Sequence, residues 1–273
     1  MLVRGNLQKM YTTLASPVVY QLPVGDQRVT LNDAIGSPIS LRFVKQINCI
    51  HCGRKTNKSF SQGFCYPCFS SLAQCDMCIV KPETCHFHLG TCREPEWAAQ
   101  HCMQDHYVYL ANSSGIKVGI TRGTQIPTRW IDQGASSALP IFRARERLVS
   151  GKLEMILKQH VADKTDWRRM LKGEPEEVDL AERRDRLVDT SRIELNALEK
   201  ALGSDAFTYL DKEDPVVVEY PVQAYPHKVT AHNLDKTELV TGVLQGIKGQ
   251  YLILDSGVLN IRKFAGYLVE FEA

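Results

Sequence analysis

Residues 1–48 set short apolar stretches at 17–20 and 40–44 between turn signals at Gly25-Asp26 and Gly36-Ser37-Pro38, a pattern that predicts a small β region. Residues 107–111 and 116–121 are two strand-like runs about Asn112-Ser113-Ser114-Gly115, which predicts a hairpin. Between about 144 and 171, Leu148, Val149, Leu153, Ile156, Leu157 and Val161 recur near helical spacing. A second helical stretch runs from about 176 to 202, with Leu180, Leu187, Ile193, Leu195, Leu198 and Leu202 as its apolar positions. From Asp214 onward, β-forming runs at 216–220, 239–243, 251–254, 258–261 and 267–271 are broken by Gly246, Gly249, Gly257 and Gly266. Five short strands of this kind predict a compact C-terminal small β barrel. There is no internal repeat and no low-complexity tract.

The expected class is therefore α+β. Length supports several units, since 273 residues exceed the roughly 150 of an average domain. With 44% hydrophobic and 23% charged residues, the chain matches ordinary globular proteins and not disordered or fibrous ones. No apolar run reaches the roughly 18 residues that span a bilayer. The first 21 residues lack the apolar centre of a secretory signal. The expectation is a cytoplasmic protein with no membrane association. A net charge of +2 is too small to imply nucleic acid by itself, so any basic patch must be local.

All nine cysteines lie between Cys49 and Cys102. Cys49-Ile50-His51-Cys52 and Cys65-Tyr66-Pro67-Cys68 make two C-x2-C pairs separated by twelve residues. Two such knuckles suit a closed tetrahedral thiolate site, the preference of structural zinc. Disulfides suit a secreted chain with an even count, and a redox C-x-x-C would sit in a βαβ context. A second knuckle begins at Cys75 and Cys78, with Cys85 and Cys92 as further ligands and His88 as a substitute, so that one or two structural Zn2+ ions are expected. Three alternatives stand beside the second ion. His86, His88, His101 and His106 can be hydrogen-bonded imidazoles, Cys102 a buried thiol, or the surplus sulfur an iron-sulfur ligand set.

Tyr107-Val108-Tyr109, the short turn, Lys117-Val118-Gly119, then Arg129 and Glu154, resemble the GIY-YIG nuclease arrangement over residues 105–172. The resemblance implies a small antiparallel sheet with flanking helices. It further implies catalytic roles for Tyr109, Lys117, Arg129 and Glu154, with Glu154 as ligand of Mg2+ or Mn2+. Lys117 stands where the second motif usually carries a tyrosine. Chemically, an arginine suits a phosphate, a carboxylate suits Mg2+, and a lysine serves as a point charge, or as a base once burial lowers its pKa. Residues 140–172 carry nine basic and four acidic side chains, net +5, including Lys164 and Asp163. Such a stretch is a candidate backbone-binding face or a solvated helix surface. Trp130 and Trp167 are candidates for base stacking or for core packing. The acidic helix from Glu174 to Asp189 falls outside any such face.

Residues 85–97, 109–122 and 129–135 together resemble an uncharacterised bacterial family known only as a domain of unknown function. The expected organisation is an N-terminal β region at 1–48, a zinc-ribbon module at 49–104, a GIY-YIG-like module at 105–172, a helical connector at 173–205 and the barrel at 206–273. The expected function is nucleic-acid binding, DNA or RNA, with metal-dependent phosphodiester cleavage as its enzymatic form. The alternative is a noncatalytic adaptor that grips RNA or a protein partner through the zinc module and barrel.

Overall fold

A computed structural model describes residues 2–161, 166–173 and 176–273. Asp163 and Lys164 of the basic stretch, and Glu174 at the expected start of the acidic helix, lie outside them.

The chain opens with β1 (Leu2–Asn6), β2 (Tyr11–Thr13), β3 (Val19–Val24), β4 (Gln27–Thr30) and the long β5 (Pro38–Asn48). The cysteine segment follows with β6 (Lys55–Thr56), α1 (Tyr66–Ser71), four 3-10 turns between Ala73 and Leu89, and α2 (Pro95–His101). Next come β7 (His106–Asn112), β8 (Ile116–Arg122), α3 (Thr128–Asp132), β9 (Ser137–Ala144), α4 (Arg147–Leu157) and α5 (Trp167–Met170). The remainder comprises α6 (Leu180–Thr190), α7 (Arg192–Leu202), β10 (Phe207–Tyr209), β11 (Val216–Val217), β12 (Leu239–Lys248), β13 (Tyr251–Leu254), β14 (Gly257–Asn260) and β15 (Tyr267–Glu272). No helix among the described residues is long and apolar enough to cross a membrane.

Among the described residues the fold is mixed α and β, with three antiparallel sheets. The largest has the order β1-β15-β5-β12-β13-β14, with β6 on β5; the second has the order β10-β9-β7-β8, with β11 also on β9; the third is β2-β3-β4. The five C-terminal runs do form strands, but they do not close on themselves. β12 and β15 both pair with β5, placing Leu41 opposite Val240 on one side and Phe271 on the other. β11 leaves for the other sheet, pairing Val216 with Ala138. The physical reason lies in β5, whose buried Ile39, Leu41 and Ile47 would be left uncovered by the N-terminal strands alone. One core consequently joins Val3, Leu7 and Leu22 to Leu244, Phe264 and Phe271. The regions expected at 1–48 and 206–273 thus share a sheet and a core.

The hairpin forms as its pattern predicts, with Gly115 taking a φ of 139° in the turn. One face of β7, β8 and β9 buries Val108, Val118 and Ile141 against Leu153 and Leu157 of α4, Leu187 of α6 and Leu195 of α7. The helical stretch at 176–202 is two helices that meet at Ser191, and α6 starts at Leu180, where the Asp179 carboxylate accepts the Ala181 and Glu182 amides at 2.9 Å each. Trp130 is buried, with its ring edge-on to Tyr109, and Trp167 stacks on Tyr251 with centroids 5.7 Å apart. Both rings therefore have packing partners.

Candidate functional site

Two cysteine pairs are aimed at one point by local backbone geometry. Gly53, at φ 72°, closes the first knuckle, in which its amide donates to the Cys49 carbonyl at 2.9 Å. The second knuckle places Cys65 just before α1 and Cys68 in its first turn. The Sγ atoms of Cys49, Cys52, Cys65 and Cys68 all lie within 4.8 Å of one another, and those of Cys52 and Cys65 are 3.7 Å apart. Burial opposes ionisation of Cys49, but the amides of Cys52, Cys65 and His51 outweigh it and hold this thiol at about 6. Burial and the neighbouring sulfurs push Cys68 upward. Four thiols so close share charge poorly among themselves, and a dication is what such a set can hold.

The other expected ligands are distributed differently. Cys75 ends one 3-10 turn, Cys78 lies in the next, and the extended Asp76 between them turns the two side chains apart. Cys75 packs with Cys49, Phe64 and Leu72, whereas Cys78, Cys85 and Cys92 line a separate small cavity. His88 turns away to the Glu146 carboxylate, 2.9 Å from its Nε2.

The hairpin builds a second site. Tyr109 and Gly119 are direct cross-strand partners. Tyr109 is fully buried, donates its hydroxyl to Gln133 Oε1 at 3.0 Å, and has its phenol raised by burial although Arg129 and Gln133 oppose the shift. Lys117 on β8, Arg129 on α3 and Glu154 on α4 line one cavity of about 630 Å³, which also includes Gly119 and Gln133. Of the four residues singled out by the resemblance, three therefore face the same space, and the fourth, Tyr109, does not line it but packs against Gly119 and bonds to Gln133, which do. Burial, reinforced by Arg129, brings the Lys117 ammonium down to about 8. Glu154 is buried and faces Lys158 Nζ at 3.3 Å.

The cavity holds more charge than the hairpin and helices suggest. Lys9, Arg122, Arg147 and Arg262 join Lys117 and Arg129, against the carboxylates of Asp132 and Glu154. Burial and the facing guanidiniums lower Arg122, which faces Arg147, and Arg262, which faces Arg129. Asp132 is held by Lys9 and by Gln250, whose Nε2 donates to Asp132 Oδ1 at 2.8 Å. Arg147 belonged to the recognised basic stretch, but Lys9 and Arg262 reach the site from the two ends of the chain and carry no local signal.

A second cavity of about 560 Å³ shares Lys9, Ser61, Gln62, Phe64, Gln125 and Arg262 with the first, so the two adjoin. Its wall is a tight hairpin in the cysteine segment, where Phe60 and Phe64 exchange backbone hydrogen bonds at 2.8 Å. At the tip, Ser61 and Gln62 adopt φ values of 43° and 65°, unusual for residues with a Cβ.

A family described as "Protein of unknown function (DUF2797)" matches residues 36–269. The chain belongs to this family. No curated protein and no solved structure matches it. The family match spans the β5 strand, the cysteine segment, the hairpin and most of the C-terminal strands. Both the thiol cluster and the cationic cleft, apart from Lys9, therefore lie within the family's extent.

Proposed function

We propose that the cleft binds the phosphate backbone of a nucleic acid and that residues 105–172 act as a GIY-YIG-like module. The observation that carries this reading is the convergence of six cationic side chains and two carboxylates on one groove. Packing that many positive charges together is unfavourable unless a polyanion neutralises them, and phosphates do so while releasing counterions. A structural zinc at Cys49, Cys52, Cys65 and Cys68 would hold the Phe60 hairpin in place as one wall. The four neighbouring thiols and the knuckle spacing support that ion. Nine free cysteines in one segment suit a reducing compartment such as the cytoplasm.

In the enzymatic form, Arg129 pairs with a phosphate oxygen and stabilises the charge that develops there. Glu154 is the carboxylate that would hold Mg2+ or Mn2+, an ion that supplies charge neutralisation at the phosphate. Lys117, brought to about 8, is mainly an ammonium at pH 7 and becomes the free amine as pH rises through that value, the form that can take a proton from an attacking water. Tyr109 stays protonated beneath Gly119 and positions Gln133. The test is incubation of labelled single- and double-stranded DNA and RNA with the purified chain in Mg2+ or Mn2+. Cleavage that is lost in Glu154→Ala while binding persists supports the enzyme.

The second reading is a noncatalytic adaptor for RNA or a protein partner. It is favoured by Lys117 at the usual tyrosine position and by the proximity of Glu154 to Lys158. Equal binding by wild type and Glu154→Ala, with no cleavage in either metal, supports the adaptor.

A further inference from the structure

We infer that Cys78, His86 and Asp76 form a second zinc site with three protein ligands, separate from the Cys49 cluster and from the cleft. The Cys78 Sγ, a ring nitrogen of His86 and a carboxylate oxygen of Asp76 lie within 4.8 Å of one another. Cys78 is buried and the other two are half-buried. All three border a cavity of about 10 Å³, close to the room a single water or ion needs. Cys85, Cys92 and Cys102 border the same cavity, but their sulfurs stand outside the converging group.

The hydrogen bonds around His86 leave one ring nitrogen for a metal. The Thr91 hydroxyl donates its single proton to the His86 carbonyl at 3.4 Å, so its oxygen accepts from Nδ1 at 2.8 Å. The ring proton is thereby fixed on Nδ1 and the lone pair on Nε2, the arrangement that a hydrogen-bonded histidine ligand adopts. Nε2 stands 3.6 Å from Asp76 Oδ2. That is too long for a hydrogen bond, but it matches the roughly 3–4 Å between two ligand atoms on one tetrahedral zinc. Asp76 is itself held in place, since Oδ2 also receives Arg93 Nε at 2.7 Å and Oδ1 accepts the Cys78 amide at 3.4 Å. Sulfur, nitrogen and oxygen donors together suit zinc and not the all-oxygen shells of Ca2+ or Mg2+. On binding, the Cys78 thiol proton passes to solvent, thiolate and carboxylate balance the dication, and a water completes the tetrahedron.

The site would brace α4. Cys78 and His86 bracket the 3-10 turn Pro82–Thr84. A Cβ on Gly151 would stand 2.4 Å from the Glu83 nitrogen, so this turn and the helix touch backbone to backbone. An ion shared by Cys78 and His86 closes the loop between them and restricts the turn that lies on α4. The metal thereby supports the helix that carries Glu154, whatever the cleft binds.

The test is metal content of the full chain purified in reductant, alongside X-ray absorption at the zinc edge. Two zinc ions per chain are expected, with nitrogen and oxygen neighbours beside sulfur in the averaged wild-type spectrum. His86→Ala and Asp76→Ala should each retain one ion, and its spectrum should become all sulfur, whereas Cys85→Ser and Cys92→Ser should retain two. One ion in the wild type, or a wild-type spectrum with sulfur neighbours alone, would overturn the assignment even if the variants fold poorly. Two ions kept in His86→Ala, or one lost in Cys85→Ser or Cys92→Ser, would overturn it as well.

Discussion

The Tyr109 hydroxyl lies 2.7 Å from the point where a Cβ on residue 119 would stand. Glycine at 119 is thus what lets a buried phenol pass beneath the strand and reach Gln133. Gly119→Ala should destabilise the chain by about 1–3 kcal/mol through overpacking. Tyr109→Phe should cost about 1 kcal/mol through the lost hydrogen bond. The ring Cζ follows at 2.8 Å, so loss of the hydroxyl relieves only the nearest of the clashing atoms, and the double variant should lose slightly less than the sum of the two. Urea unfolding of the four proteins measures this coupling, and a double variant that loses more than the sum would contradict the contact.

Lys117 gives stability a defined pH dependence. Its folded pKa of about 8 lies below the ordinary lysine value, so between about 8 and 10.5 the unfolded chain binds more protons at this residue. The burial penalty is present below that window and is relieved as pH rises through it. Lys117→Met should therefore raise stability at pH 7, by roughly 1–3 kcal/mol given the size of the shift, and by progressively less up to pH 10. Urea midpoints of both proteins at pH 7, 9 and 10 test this. A difference that does not shrink with pH would contradict the buried ammonium.

Asp132 ties three parts of the chain together, since it accepts from Lys9 and Gln250 while Gln250 accepts the Met10 amide at 2.9 Å. Asp132→Ala leaves a buried amide donor and a half-buried ammonium without this carboxylate. A loss on the order of 2–3 kcal/mol is expected, with faster amide exchange in β2. Unchanged exchange there would show that the N-terminal strands are held by other contacts.

Removal of metal should act locally first. Cys65→Ser, or chelation of the wild type, is expected to expose residues 49–68 to limited proteolysis while leaving the core around Leu41 and Phe271 protected. Resistance of the segment after chelation would mean that it is ordered without an ion.

What the chain disclosed about itself depended on sequence range. The hairpin was legible because the turn residues 112–115 stand between two β-forming runs, and the first thiol set because C-x2-C turns are local. The pairing of Leu41 with both Val240 and Phe271 was not, since alternation marks a buried face without naming its partner. Cys75 looked like half of a knuckle with Cys78, but the extended Asp76 between two 3-10 turns separates them, a detail that spacing alone does not encode. The cleft was half legible: Lys117, Arg129 and Glu154 came from local motifs, while Lys9 and Arg262 arrive through the long-range closure of the large sheet.

The most direct test of the cationic cleft is the salt dependence of binding to a short labelled oligonucleotide, measured by fluorescence anisotropy for wild type and Arg129→Ala. If the groove grips phosphates, affinity should fall steeply with salt, and the variant should bind more weakly with a log-log slope reduced by about 1. Equal affinity and equal slope in the two proteins, or no binding at low salt, would contradict it.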